Sequence, residues 1–401
     1  SYDKESGELV LHNYMDFDNL KDYVKISYEL TQDGLLIGKG KLAEVSVVPH
    51  SEGKTNLQVN VPENGKCYLK LIYHLKKEMP LLEEDYILGF DEIEVSQKDA
   101  KCQLAEKWVE KTVTDSELQV SEDDTQIHIK GREFAYTIDR RTALFTEMKF
   151  AGREYLNHPM ELNIWRAPTD NDMYIKSEWK KAHYDKAYTR AYTTEVVQGK
   201  HGVKIISHAS VVAETVQKIL DVTITWKIEA AGKIDADIAV TKDDEFPDLP
   251  RFGVRMFLDK KLSAARYFGM GPQESYCDKH QAASHGLYQA NVDDLHEDYI
   301  RPQENGSHYD CEYVELNNSR YGIVVSAENA FSFNASYYTQ EELEEKTHNY
   351  ELTESDSVVF CVDYALNGIG SNSCGPVVLE QYRFDDVLFR FQFTLIPYVK
   401  G

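Results

Sequence analysis

Apolar residues in this chain recur at every second position, in one stretch after another. Val24, Ile26, Tyr28 and Leu30 alternate with Lys25, Ser27 and Glu29. Leu69, Leu71, Tyr73 and Leu75 do the same, as do Phe134, Tyr136 and Ile138, then Val222, Ile224, Trp226 and Ile228, then Phe389, Phe391, Phe393 and Leu395. Successive side chains of a strand point to opposite faces, so each run reads as a strand with one face buried. Asp33-Gly34 directly behind the first run is a hairpin-turn dipeptide. Helical signals are few. Ser177 to Tyr188 has room for three turns, and Thr339 with Glu342 resembles a capping box before a short acidic helix. An all-β chain with one or two helical excursions is predicted.

The alternation lapses near residues 97–125, where Ser96-Gln-Lys-Asp-Ala and Thr114-Asp-Ser-Glu are polar. A linker over residues 97–116 is therefore expected. Residues 1–96 have the length and strand spacing of an immunoglobulin-like sandwich. Residues 117–401 are too many for a seven-strand sandwich, and a large multi-strand β-sandwich is expected there.

Net charge excludes some partners. Lys+Arg 44 against Asp+Glu 68 gives 44 − 68 = −24. Nucleic acid and anionic membrane both call for a cationic face, so neither is expected. Apolar runs stay short of the roughly 18–20 residues of a membrane helix. The opening SYDKESGE has neither an initiator Met nor a signal-peptide core, and is read as a segment trimmed from a longer protein. Six cysteines without a C-x-x-C pair are expected as scattered core thiols in a reducing compartment, with cytoplasm the default. Asn305, Asn317 and Asn334 begin N-x-S sequons of a length that arises by chance.

Four segments concentrate chemistry. Asn163-Ile-Trp-Arg-Ala-Pro-Thr-Asp-Asn-Asp172 offers Arg166 for a carboxylate, and Asp170, Asn171 and Asp172 for sugar hydroxyls. The competing reading, a tight turn held by Asx side chains with Arg166 paired inside the fold, is favoured. A calcium loop lacks the Gly and distal Glu of an EF-hand. Tyr267-Phe-Gly-Met-Gly-Pro-Gln-Glu-Ser-Tyr276 reads as a strand end feeding a turn. Tyr299-Ile-Arg-Pro-Gln-Glu-Asn-Gly306 either binds a polyol or cross-braces a loop. Asn367-Gly-Ile-Gly-Ser-Asn-Ser-Cys-Gly-Pro376 reads as a tight, exposed loop. No G-x-S-x-G elbow is present, and no spacing among 68 acidic residues singles out a glycosidase carboxylate pair. His280 and His285 have poor metal-ligand spacing, so no metal site is expected.

In order and wording, N-I-W-R-A-P-T-D-N-D, Y-F-G-M-G-P-Q-E-S-Y, Y-I-R-P-Q-E-N-G and the Gly368–Pro376 loop resemble the C-terminal region of the large β-galactosidases of glycoside hydrolase family 2. The resemblance covers essentially the whole chain. It implies an immunoglobulin-like domain, then a "small chain" super-sandwich of galactose mutarotase-like fold. It also implies that the catalytic glutamates, with magnesium and sodium, belong to a barrel outside this sequence, so that this segment is non-catalytic and carries no cofactor of its own. The implied partners are that barrel, a β-galactoside such as lactose and, for the whole enzyme, further copies of itself. The implied substrate-binding residues are Asn372, Ser373 and Cys374, together with Asp170, Asn171 and Asp172. Some members place a tryptophan where Cys374 stands, and a thiol cannot stack on a sugar as an indole does. Two alternatives stay open: a free carbohydrate-binding module, and a mutarotase-like epimerase pairing His280, His285 or His308 with Glu274 or Glu304. The glycine-rich loop, without an apolar anchor, is expected to be exposed and loosely held.

Overall fold

The computed structural model describes residues 1–98, 100–104, 118–199 and 201–400. Most of the expected 97–116 linker lies outside the described residues. The chain divides into two compact units: Ser1–Leu104 with His285–Leu287, and Ala105–Ser284 with Tyr288–Gly401.

In the first unit, strands Tyr2–Asp3, Glu8–Asn13 and Ser51–Asn56 form one antiparallel sheet. Leu35–Lys41, Val24–Gln32, Cys67–Leu75 and Ile87–Glu94, in that order, form the other. Alternate residues of both sheets, among them Leu9, Leu11, Ile26, Leu30, Leu69 and Leu71, share one apolar cluster. The result is a small two-sheet sandwich of the immunoglobulin-like class. Asp33 and Gly34 take φ of 49° and 77°, the doubly left-handed turn that the right-handed twist of a hairpin favours.

The second unit is also antiparallel. A five-stranded sheet (residues 119–154) accompanies a twelve-stranded one. Within the larger sheet, Tyr321–Ser336 is sixteen residues long and changes partner partway. Residues 321–326 pair with Leu388–Val399, and residues 332–336 with Ser357–Leu366. Ser307–Asn317 lies along its other side, with bulges between His308 and Tyr313. One apolar cluster fills this unit, centred on large side chains such as Trp226, whose Nε1 donates to the Ala143 carbonyl at 2.8 Å.

Both helical expectations are met in part. Gln340–Glu345 is a helix whose N-cap Thr339 hydroxyl accepts from the Glu342 N–H. The three turns over Ser177–Tyr188 shorten to Ile175–Lys181. His183 then adopts φ 58°, a single short turn spans Tyr184–Lys186, and Tyr188 already begins a strand. Trp179 and Tyr184 enforce this break: Trp179 Nε1 donates to the Asp248 carbonyl and Tyr184 Oη to that of Pro247, so both aromatics are held inward.

Candidate functional site

The glycine-rich loop leaves the strand Ser357–Leu366 and returns at the turn Glu380–Tyr382. Asn367 and Gly368 are buried, Asn372 is half-buried, and Ser373, Cys374, Gly375 and Pro376 are exposed. The tip therefore presents an open edge, as expected. The expectation of a loosely held loop is corrected, because polar groups from distant segments grip its backbone.

Arg166 is the first of these. It is fully buried, and its Nε and one terminal nitrogen fork onto the Asp172 carboxylate at 3.1 and 2.7 Å. The other terminal nitrogen donates to the Asn367 carbonyl, and the Gly368 carbonyl accepts at 3.1 Å. Thr169 donates its N–H and its hydroxyl to Asp172, which closes the turn Asp170–Asp172. Burial opposes the positive charge of Arg166, but Asp172 and then Glu304 outweigh it and raise its pKa.

Asn171 adds a second tether. Its Nδ2 donates to the Gly370 carbonyl at 2.7 Å, and its Oδ1 accepts from the Ser373 hydroxyl at 2.8 Å. Asp278 adds a third: its carboxylate accepts the N–H groups of Ile369 and Gly370 at 2.9 and 2.7 Å. A Cβ at residue 368 would meet that carboxylate at 2.8 Å, and Gly370 has φ 64°, so these two positions call for glycine. Asp170 is exposed, with its N–H donated to the Gln303 side chain.

Behind this scaffold, Arg251 forks onto Asp363 at 3.1 and 2.6 Å and reaches Glu304 at 3.2 Å, all three fully or nearly buried. Burial pushes the Glu304 carboxyl up despite Arg251 and Arg166 nearby. Tyr299–Gly306 thus cross-braces the fold: Glu304 pairs inward, and Asn305 accepts from the Glu297 N–H.

The histidines do not assemble an acid–base centre with the carboxylates proposed for them. His308 is buried between Tyr267 and Phe333, and its Nδ1 lies 3.3 Å from the Met270 carbonyl. Burial pushes it down to about 4. His280 Nδ1 bonds to the Tyr276 carbonyl, and His285 sits on the strand Ser284–Asn291. Glu274 accepts from Tyr299, Lys279 and the Gly306 N–H. The Asp278 tether is not legible in the sequence, because no local pattern links Asp278 to residues about ninety positions away.

Among the described residues, no group of three or more His, Cys, Asp or Glu side chains has a metal-holding arrangement, and no helix is long and apolar enough to cross a membrane.

These features define an all-β chain that presents a polar-tethered glycine loop at an open edge. Residues 130–395 match the family model described as β-galactosidase small chain, and residues 9–96 that of β-galactosidase, domain 4. The chain belongs to the β-galactosidase small-chain family. It is 42% identical over 392 residues to a β-galactosidase of Actinobacillus pleuropneumoniae, covering 97% of this chain and 38% of that relative. It is 30% identical over 398 residues to one of Staphylococcus xylosus, covering 98% and 39%. The chain thus spans about two fifths of the length of these relatives. A solved galactose 1-epimerase of Lactobacillus acidophilus aligns with 72% of this chain at 8% identity and TM-score 0.40.

Proposed function

We propose that this chain is the non-catalytic C-terminal part of a retaining β-galactosidase acting on terminal β-D-galactosides such as lactose. Its loop Asn367–Pro376 forms one wall of a sugar pocket whose catalytic carboxylates lie in a barrel outside this sequence. The observation that carries this reading is the contrast within the loop. Its root is locked to a buried guanidinium and two further side chains, while its tip has no cover from its own unit. A glycine loop ordered in advance loses less conformational entropy when it meets a partner surface or a sugar.

In this role Asn372, Ser373 and Cys374 face the substrate. Asp170 and Asn171 back that wall, and Asp172 acts from within by holding Arg166. Magnesium and sodium belong to the catalytic part, the compartment is the cytoplasm, and the whole enzyme associates with further copies of itself. The epimerase alternative is not favoured, since Glu304 is held by Arg251 and His308 makes no hydrogen bond to Glu274 or Glu304 among the described residues.

Two measurements test this. The purified chain should not turn over a chromogenic β-galactoside; activity that scales with its concentration and is absent from a mock purification would overturn the reading. In the full-length enzyme, Cys374→Trp should change KM for the galactoside, because an indole can stack on a pyranose face. Stability should stay unchanged. An unchanged KM together with a destabilised protein would make the position ordinary packing.

A further inference from the structure

A second concave site lies at the root of the loop rather than its tip. It is a cavity of about 320 Å³ whose lining includes Tyr309, Ser332, Tyr364, Gln381, Tyr382 and Asp386, and none of residues 367–376. That volume is at the lower end of the roughly 300–1,000 Å³ typical of small-molecule sites. The strands around it depart from regular pairing where they border it. Ser307–Asn317 carries bulges on either side of Cys311, and Asp310 takes φ 54°. The facing strand breaks its ladder between Ser326 and Phe331. Bulges and left-handed non-glycine residues cost energy and gather where a sheet opens to a ligand.

The lining also has uncommitted chemistry. The hydroxyls of Tyr309, Ser332, Tyr364 and Tyr382, the Gln381 amide and the Asp386 carboxylate have no side-chain hydrogen-bond partner among the described residues. Ser332, on the strand Tyr321–Ser336, is only 5% exposed overall. Such groups supply donors and acceptors side by side with aromatic faces, the combination that suits a pyranose ring with its ring of hydroxyls and apolar C–H faces. Anionic ligands are disfavoured. Asp310 and Asp386 border the cavity, and the one lining cation, Arg383, already donates to the Val378 carbonyl.

We propose that this cavity binds an uncharged monosaccharide in pyranose form, at a site separate from the loop tip. The proposal concerns the chain alone and does not depend on the catalytic reading above. Calorimetric titration of the 401-residue chain with D-galactose and with D-glucose tests it. Saturable binding of either sugar, with Kd on the order of 1 mM, is expected. Gln381→Ala at the exposed rim should weaken it about fivefold, and Tyr382→Ala about tenfold, with circular dichroism unchanged. Cys374→Ala should leave it as in the parent. Absence of saturable binding for both sugars overturns the proposal. So does binding that falls with Cys374→Ala but not with the two rim variants, because the sugar would then sit at the loop tip.

Discussion

Arg166 and Asp172 share two near-parallel hydrogen bonds in the interior, at 3.1 and 2.7 Å, and the same guanidinium holds the carbonyls of Asn367 and Gly368. One charged pair therefore ties the turn Asp170–Asp172 to the root of the exposed loop. Neither partner can be removed alone without stranding the other's charge. Asp172→Asn should cost about 3–5 kcal/mol, read as a lowered midpoint of urea unfolding. Arg166→Lys should fare little better, because an ammonium cannot fork onto carboxylate and carbonyls together. Losses below about 1 kcal/mol in both variants would show that the pair is not structurally decisive.

Asp278 acts more locally. Its carboxylate accepts from Ile369 and Gly370, and charged acceptors of this kind contribute about 1.5–3 kcal/mol. Asp278→Ala should speed hydrogen exchange of those two amides at least tenfold. Strand amides such as that of Val362 should keep their protection. Equal acceleration in loop and strands would mean that Asp278 supports the whole unit rather than the loop.

His308 gives the domain an acid sensitivity. Its imidazole takes a proton at about pH 4 in the folded chain, against 6.5 for the free side chain. Between those values the unfolded chain binds the extra proton, so this contribution is present above pH 6.5 and is lost as pH falls towards 4. The ceiling is about 3 kcal/mol. Urea midpoints measured from pH 7 to 4.5 should fall less steeply in His308→Gln than in the parent. Parallel curves would remove His308 from the account.

The thiols should separate by reactivity. Cys374 is exposed, whereas Cys67, Cys102, Cys311 and Cys361 are buried. Burial pushes the Cys361 thiol up to about 12 and Cys277 up to about 11, so both hold their protons at pH 8. Iodoacetamide at that pH should add one group per folded chain quickly, mapped to Cys374 by peptide mass, with the rest reacting only after unfolding. Fast labelling of Cys361 in the folded chain would contradict the burial described for it.

The alternation of apolar residues was sufficient to place the strands around Val24–Leu30, Leu69–Leu75, Phe134–Ile138, Val222–Ile228 and Phe389–Leu395. The Asp33-Gly34 turn and the Thr339 cap were equally legible. Each of these rests on contacts within a few residues, so the sequence window contains its own cause. Asn163–Asp172 is legible as a turn with Arg166 paired inside the fold, because its acceptor lies only six residues on. The early end of the Ile175–Lys181 helix was not legible, since it follows from where Trp179 and Tyr184 find distant carbonyls. The loop's anchoring was hidden for the same reason. Arg251 meets Asp363 across 112 positions, and Arg166 meets Asn367 across 201. With 68 acidic residues in the chain, composition offers many partners for each arginine. Only the order of strands in the twelve-stranded sheet selects among them, by bringing remote segments within hydrogen-bond reach and excluding the water that would otherwise compete.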